Sequence, residues 1–403
     1  MRRTISVMGR APSVLDLTRD AGTLGEVAVI GGGAAACAAA NALAQGGAGV
    51  SLFEAGRAPG GRTASRWCGE DHPGVTLQHG APSFDCRTPV GRGIAERLAL
   101  RRFDGVVGTL NAADGSFAEE SSLADGVPHY ESAGLCAALL NEGGADVDAT
   151  FNSAVFDLEP LMDDTLGTVG GWRLRDREYN LLCDVEWLVV AGSGVAHPRW
   201  SQIHEERGEA PLIRAAATLG DDALNFALDV VGAIGSQPVR VTMFLCEGSA
   251  AASWRALPFS IAHVEGDANL AKIVVERHTA SDTVTIVAHS TAAFANRTNV
   301  DNAETETVLL NALDALAIRA QWGTPAARDG AAAYGPLAHR WGAAFPTGTL
   351  LQREHAIAPS SRVAFAGDYV AGSEARGGSV EGALLSGIAA GEAVGALIRR
   401  EYE

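Results

Sequence analysis

The chain has 403 residues and a mass of 41.6 kDa, enough for two or three domains with sizeable cores, and its composition fits an ordinary globular protein rather than a disordered or fibrous one. A formal charge of -17, from 48 acidic against 31 basic residues, argues against a protein that neutralises phosphate backbones or docks on anionic lipid, so neither nucleic acid nor membrane is an expected partner. The six cysteines, at positions 37, 68, 86, 136, 183 and 246, show no CxxC spacing; they read as buried free thiols, and no metal site is expected.

Residues 1–25 read as an N-terminal extension. They lack the apolar stretch of a secretory signal, and Asp16, Asp20 and the adjoining Glu26 make a poor transit peptide. No apolar run reaches the roughly eighteen residues of a membrane span, so the expected location is cytoplasmic. Residues 27–30 (VAVI) form a continuous apolar run, as a parallel strand covered on both faces requires, and lead into Gly31, Gly32 and Gly33. Gly31 and Gly33 permit the tight turn and the close approach of a diphosphate, and Ala36 stands where a third glycine would let helix and strand pack hard. The small-residue segment AAACAAANALAQ predicts a helix whose first turn, with Ala34 and Ala35, points its free N–H groups at that diphosphate. A second strand over 50–53 stops at Glu54 and Ala55, about twenty residues after the glycines, where a carboxylate accepts hydrogen bonds from a ribose and disfavours a 2′-phosphate. The order and spacing indicate a dinucleotide site that NAD and FAD both satisfy.

Gly60, Gly61 and Arg62 then make a second glycine turn with a cation beside the diphosphate path. This GGR run resembles the signature of the amine oxidase-like flavoproteins, which tips the expectation to FAD. LQHGAPSFDCRTP, with His79, Gly80 and Ala81, resembles the histidine-glycine-alanine loop of renalase-like flavoproteins, although Gln78 replaces their usual aspartate. YESAGLCAALLNEGG from Tyr130 predicts a helix, and FNSAVFDLEP a strand whose Val155 the resemblance places near the adenine. VEWLVVAGSG predicts another buried strand, ending in Gly192 and Gly194. PVRVTMFL, AKIVVERH and DTVTIVAHS predict successive strands of an antiparallel sheet in a second domain, and a helix follows from about Glu304. TIVAHSTAAFANRTNVD and LAHRWGAAFP match later blocks of the renalase-like family.

The closing stretch from Ser361 gives a strand over 363–366, then Gly367 and Asp368, then a long helix starting near Val380. It resembles the closing flavin motif of the same families, which implies that Asp368 binds the ribityl chain. The helix N-terminus, with Gly378, Ser379, Val380, Glu381 and Gly382, would face the flavin pyrimidine edge, where it stabilises the charge of reduced flavin. Two departures stand out: Gly342, Ala343 and Ala344 replace a larger basic and aromatic pair, and Tyr369 replaces the usual tryptophan. Both reshape the substrate wall.

The expected fold is α/β: a Rossmann-like FAD-binding domain built from 26–95, 125–200 and 350–403, and a mainly antiparallel-sheet substrate domain from 96–124 and 201–349. The expected function is that of an FAD-dependent oxidase taking a hydride from a small reduced substrate, with isomers of dihydronicotinamide dinucleotides first in line and O2 reoxidising the flavin to give peroxide. A biosynthetic amine oxidase or desaturase shares every cofactor motif, and a non-catalytic binding protein on the same fold stays open. His79 and Trp341 are the catalytic candidates, with His339 and Arg340 behind them. Amine-oxidising relatives place a lysine opposite the flavin N5 through water; Lys272, the single lysine, is the candidate by type, but it reads as a sheet-edge or surface residue. The protein is expected to be a monomer or homodimer.

Overall fold

The six-stranded sheet is organised around the strand Leu24–Ile30, whose Val27, Ala28 and Val29 are fully buried, as a strand covered on both faces requires. The computed structural model describes residues 24–120, 126–144, 146–163, 167–204, 208–322, 332–372 and 375–403. The extension expected over 1–25 lies outside them except for its last two residues, as does the expected boundary at 125. Leu24–Ile30 pairs in parallel with Ala48–Glu54 and with Trp187–Val190. Val147–Phe151 and Val363–Phe365 continue the parallel pattern, and Ile357–Ala358 is added antiparallel. Gly31, Glu54, Gly192 and Gly367 therefore all lie at the carboxyl ends of parallel strands, the edge at which such sheets bind ligands.

The helix Ala34–Gln45 begins directly after the glycine turn and packs on the closing helix Val380–Tyr402. Their approach is tight because the contact is made of glycine and alanine. A Cβ on Gly387 would lie 2.2 Å from the Ala35 carbonyl oxygen, and one on Gly391 would lie 2.7 Å from that of Ala39. The closing helix corrects one expectation from the sequence. Its 23 residues are long and apolar enough to cross a membrane by length and composition, and 61% of its most apolar window is buried within the fold, where it serves as a core helix.

A seven-stranded sheet forms the second layer. Its strands run in the order Ala332–Thr347, Gly235–Glu247, Thr283–Ser290, Leu270–His278, Ile261–Glu265, Val107–Asn111 and Phe117–Glu119. All neighbours are antiparallel except Ile261–Glu265 with Val107–Asn111. Alternation assigns the faces. Phe244, Ile273, Val275 and Ile286 pack with Leu309, Leu313 and Leu316 of the helix Asn302–Arg319, while Val239, Val241, Val274 and Val287 belong to a separate cluster on the opposite face. FNSAVFDLEP is not one strand: the first strand ends at Phe151, Asn152 turns with φ 53°, and pairing resumes at Asp157–Asp163.

Candidate active site

One cavity of about 500 Å³ lies between the carboxyl ends of the parallel strands and the second sheet. Gly31 takes φ +114°, a conformation that suits glycine, and its N–H donates to the Phe53 carbonyl at 2.9 Å, which fixes the turn against the second strand. Gly33 ends the turn as the N-cap of Ala34–Gln45, and no side chain caps that helix. A Cβ at Gly33 would meet nothing within 4 Å, so the first-turn amides of Ala34 and Ala35 open onto the cavity. The second glycine turn docks on the first. The Gly60 N–H donates to the Gly32 carbonyl at 2.7 Å, and a Cβ on Gly61 would come 3.2 Å from the Gly33 Cα. Glu54 lines the cavity at the end of its strand, where its Oε1 accepts from the Gly56 N–H at 2.5 Å.

Residues from the far end of the chain complete the wall. Arg62 donates to both oxygens of Asp368, at 2.6 and 2.8 Å, and to the Ala344 carbonyl at 2.8 Å. Burial works against the charge on Arg62, but Asp368 more than compensates and holds the guanidinium charged. Gly367 and Asp368 line the cavity, as do Ser379 and Val380 at the start of the closing helix, where the Ser379 Oγ accepts from the Gly382 N–H at 2.9 Å. Gly61, Gly80 and Ala81 line it from the amino-terminal half.

Five residues expected at the cofactor, Ala55, His79, Val155, Glu381 and Gly382, do not line the cavity. Ala55 is exposed and Val155 is buried in the core beneath the first sheet; neither lines the cavity. Glu381 is 2% exposed and turned away, accepting from the backbone N–H groups of Arg87 and Thr88 at 3.0 and 2.9 Å and from the Thr88 hydroxyl at 2.8 Å. It anchors the start of the helix Pro89–Arg97 instead of a flavin edge. Replacing Glu381 by alanine is expected to strip three buried donors, cost about 2–3 kcal/mol and lower the melting temperature, with the cofactor spectrum of the folded fraction unchanged.

His79 also stands back from the cavity. Its ring stacks behind Trp341, with centroids 5.1 Å apart, and its carbonyl accepts from the Trp341 Nε1 at 3.0 Å, so it positions the tryptophan that does line the wall. His339 makes edge contacts with both rings, and Arg340 is exposed. Burial, with His339 and Arg66 adding to it, pushes His79 down to about 4. A histidine whose pKa falls on folding binds its proton more readily when unfolded, so its contribution to stability is lost as pH falls from about 6.5 towards 4. Thermal melts should show a decline across that window, and His79→Gln should make it shallower without abolishing it, because other buried histidines are lowered too.

Lys272 is neither at a sheet edge nor on the outer surface. Its strand lies between Ile261–Glu265 and Thr283–Ser290, and the lysine lines the cavity together with His263 and His289. Sequence reading missed this group because register, not composition, decides which face a strand residue takes. The usable signal was a single basic residue set among apolar ones in each of IAHVE, AKIVV and IVAHS.

Residues 29–98 match the family described as NAD(P)-binding Rossmann-like domain. No curated protein matches the chain. Among solved structures, cyclohexylamine oxidase from Brevibacterium oxydans IH-35A aligns over 94% of this chain and 99% of its own, with a TM-score of 0.61 at 14% identity. An oxidoreductase from Methanosarcina mazei aligns over 90% and 99%, with a TM-score of 0.60 at 12% identity. Putrescine oxidase bound to putrescine aligns over 93% and 99%, with a TM-score of 0.55 at 13% identity. The chain shares the fold of these proteins. A Rossmann-like domain at its amino-terminal end, joined to a mainly antiparallel sheet, is the architecture the sequence implied.

Proposed function

We propose that the protein is an FAD-dependent oxidoreductase, an oxidase of a small reduced substrate. One observation carries this reading: a single cavity is walled by the first glycine turn and by the start of the closing helix, so one extended cofactor can touch both. The residues fit FAD. An uncapped helix N-terminus behind Gly33 suits a diphosphate, Glu54 suits a ribose, and the helix start at Ser379 and Val380 suits a ring that gains negative charge on reduction. When bound, FAD would supply a two-electron acceptor: the substrate gives up a hydride, and O2 takes up the two electrons with two protons as hydrogen peroxide, the second proton coming from an amine substrate or, for a dihydronicotinamide, from solvent. The chain supplies an apolar wall from Val239, Ile261 and Trp341, which excludes water from the reacting carbon.

The renalase-like motifs make non-productive isomers of dihydronicotinamide dinucleotides the first substrates to try. A second reading, oxidation of an amine, is supported by the likeness in fold to amine oxidases. The absorbance spectrum of the pure protein before and after denaturation tests the cofactor: flavin bands that leave with the soluble fraction are expected, and a protein colourless even after reconstitution would overturn the reading. Anaerobic mixing with the dihydronicotinamide isomers and with simple amines then shows which class bleaches the flavin.

A further inference from the structure

We infer that the row His263, Lys272 and His289 is a carboxylate-binding subsite, and that the substrate is an acid whose carboxylate docks there while its reacting carbon faces the cofactor. This rests on the proposal that the cavity holds a cofactor and a small substrate, and it names a substrate class other than the dihydronicotinamide isomers, whose ring carries a carboxamide. The three residues are direct cross-strand partners, His263 opposite Lys272 and Lys272 opposite His289, on three adjacent strands of the second sheet. Side chains so paired stand about 5 Å apart on one face. Their immediate neighbours on that face are apolar: Val239 and Ile261 line the cavity beside them, and Val274 and Val287 come next along the strands, before Glu276 and Thr285. A single line of basic groups crosses a hydrophobic surface.

Among the described residues none of the three forms an ion pair with a carboxylate, although Glu120 acts on His263 from a distance. Lys272 makes no hydrogen bond or ion pair with a described residue, and the Nε2 of His289, a residue only 6% exposed, has no hydrogen-bond partner. The acidic residues lining the cavity are engaged elsewhere: Asp368 with Arg62, Asp85 with Arg87, and Glu54 with the Gly56 amide. An ammonium held in an apolar wall without a counter-ion is costly, and the cost is recovered when a ligand brings the missing charge. A protonated amine would meet a like charge there. A carboxylate offers two acceptor oxygens, one for the Lys272 ammonium and one for a neutral imidazole N–H of His263 or His289.

The groups facing Lys272 set how binding depends on pH. They are His263, with Glu120 beside it, and His289, with His79 beyond. Burial lowers both imidazoles, so they stay neutral at neutral pH, and burial pushes Lys272 down to about 8. Carboxylate affinity should hold between pH 7 and 8 and then fall about tenfold per pH unit, whereas an exposed lysine would sustain it to about pH 10.

The test is calorimetric titration of the purified full chain with benzoate, benzamide and benzylamine at pH 7 to 9.5. Benzoate is expected to bind at least about tenfold more tightly than benzamide, with no binding of benzylamine. Lys272→Met should weaken benzoate about thirtyfold and His289→Leu about fivefold, both leaving benzamide unchanged. Equal affinity for benzoate and benzamide, or benzoate binding that persists unchanged above pH 9, overturns the inference even if either variant fails to fold. Heat of binding does not depend on colour. A colourless protein that selects benzoate sinks the flavin reading alone, and a yellow protein that does not select it sinks the carboxylate site alone.

Discussion

Gly33→Asp is expected to give a folded protein that binds no FAD. The backbone at Gly33 is extended, with φ −80° and ψ −178°, which any residue adopts, and a Cβ there meets no atom within 4 Å. Aspartate is also among the best N-cap residues, and a negative charge at a helix N-terminus is favourable, so the cofactor-free variant should melt at or above the temperature of the cofactor-free parent. The same carboxylate occupies the place proposed for the diphosphate and repels it. Like charges held together cost several kcal/mol, so FAD affinity should fall by about a thousandfold, or about 4 kcal/mol. Melts of the cofactor-free proteins and an FAD titration followed by absorbance separate the two effects. A variant that stays fully yellow would show that the diphosphate is not bound at this helix.

The second large effect lies where the two core helices cross. Gly387→Val would drive a Cβ to 2.2 Å from the Ala35 carbonyl oxygen and 3.0 Å from its Cα. These are backbone atoms of a helix on a buried sheet, so no rotamer change relieves the clash and the helices must separate. Overpacking of a tight core costs about 1–3 kcal/mol, and a backbone clash lies at or above the top of that range, so the melting temperature should drop by several degrees or the protein should be lost to aggregation. Ala35 also belongs to the cavity wall, so the surviving protein should bind FAD more weakly. Gly395→Ala on the same helix is the control. Its Cβ would lie 3.5 Å from the nearest atom, an Arg399 side-chain nitrogen, and alanine favours the helix by up to about 1 kcal/mol. That variant should melt no lower than the parent.

The nucleotide half was legible because its signals are local. An apolar run, a glycine turn, a small-residue helix and a strand ending in Glu54 follow each other within thirty residues, and each step constrains the next. The closing helix was legible from its long run of small and apolar residues after Val380, and the structure caps it with Ser379. What escaped depends on contacts between distant segments. Val380 faces the cavity and Glu381 does not, because the phase of the helix points the carboxylate at Thr88, 293 residues away. Val155 was placed on a strand that the Asn152 turn interrupts. Lys272 was read as peripheral because a one-residue slip in register would have put it on the opposite face, and only the pairing with His263 and His289 fixes the side it takes.

The Arg62–Asp368 pair joins positions 306 residues apart. During synthesis the glycine turns emerge early, but Arg62 has no carboxylate to meet until the second sheet has been made and the strand before Asp368 has left the ribosome. Closure of the cavity wall is thereby deferred to the end of translation, and a nascent chain stalled before that point presents only its amino-terminal half.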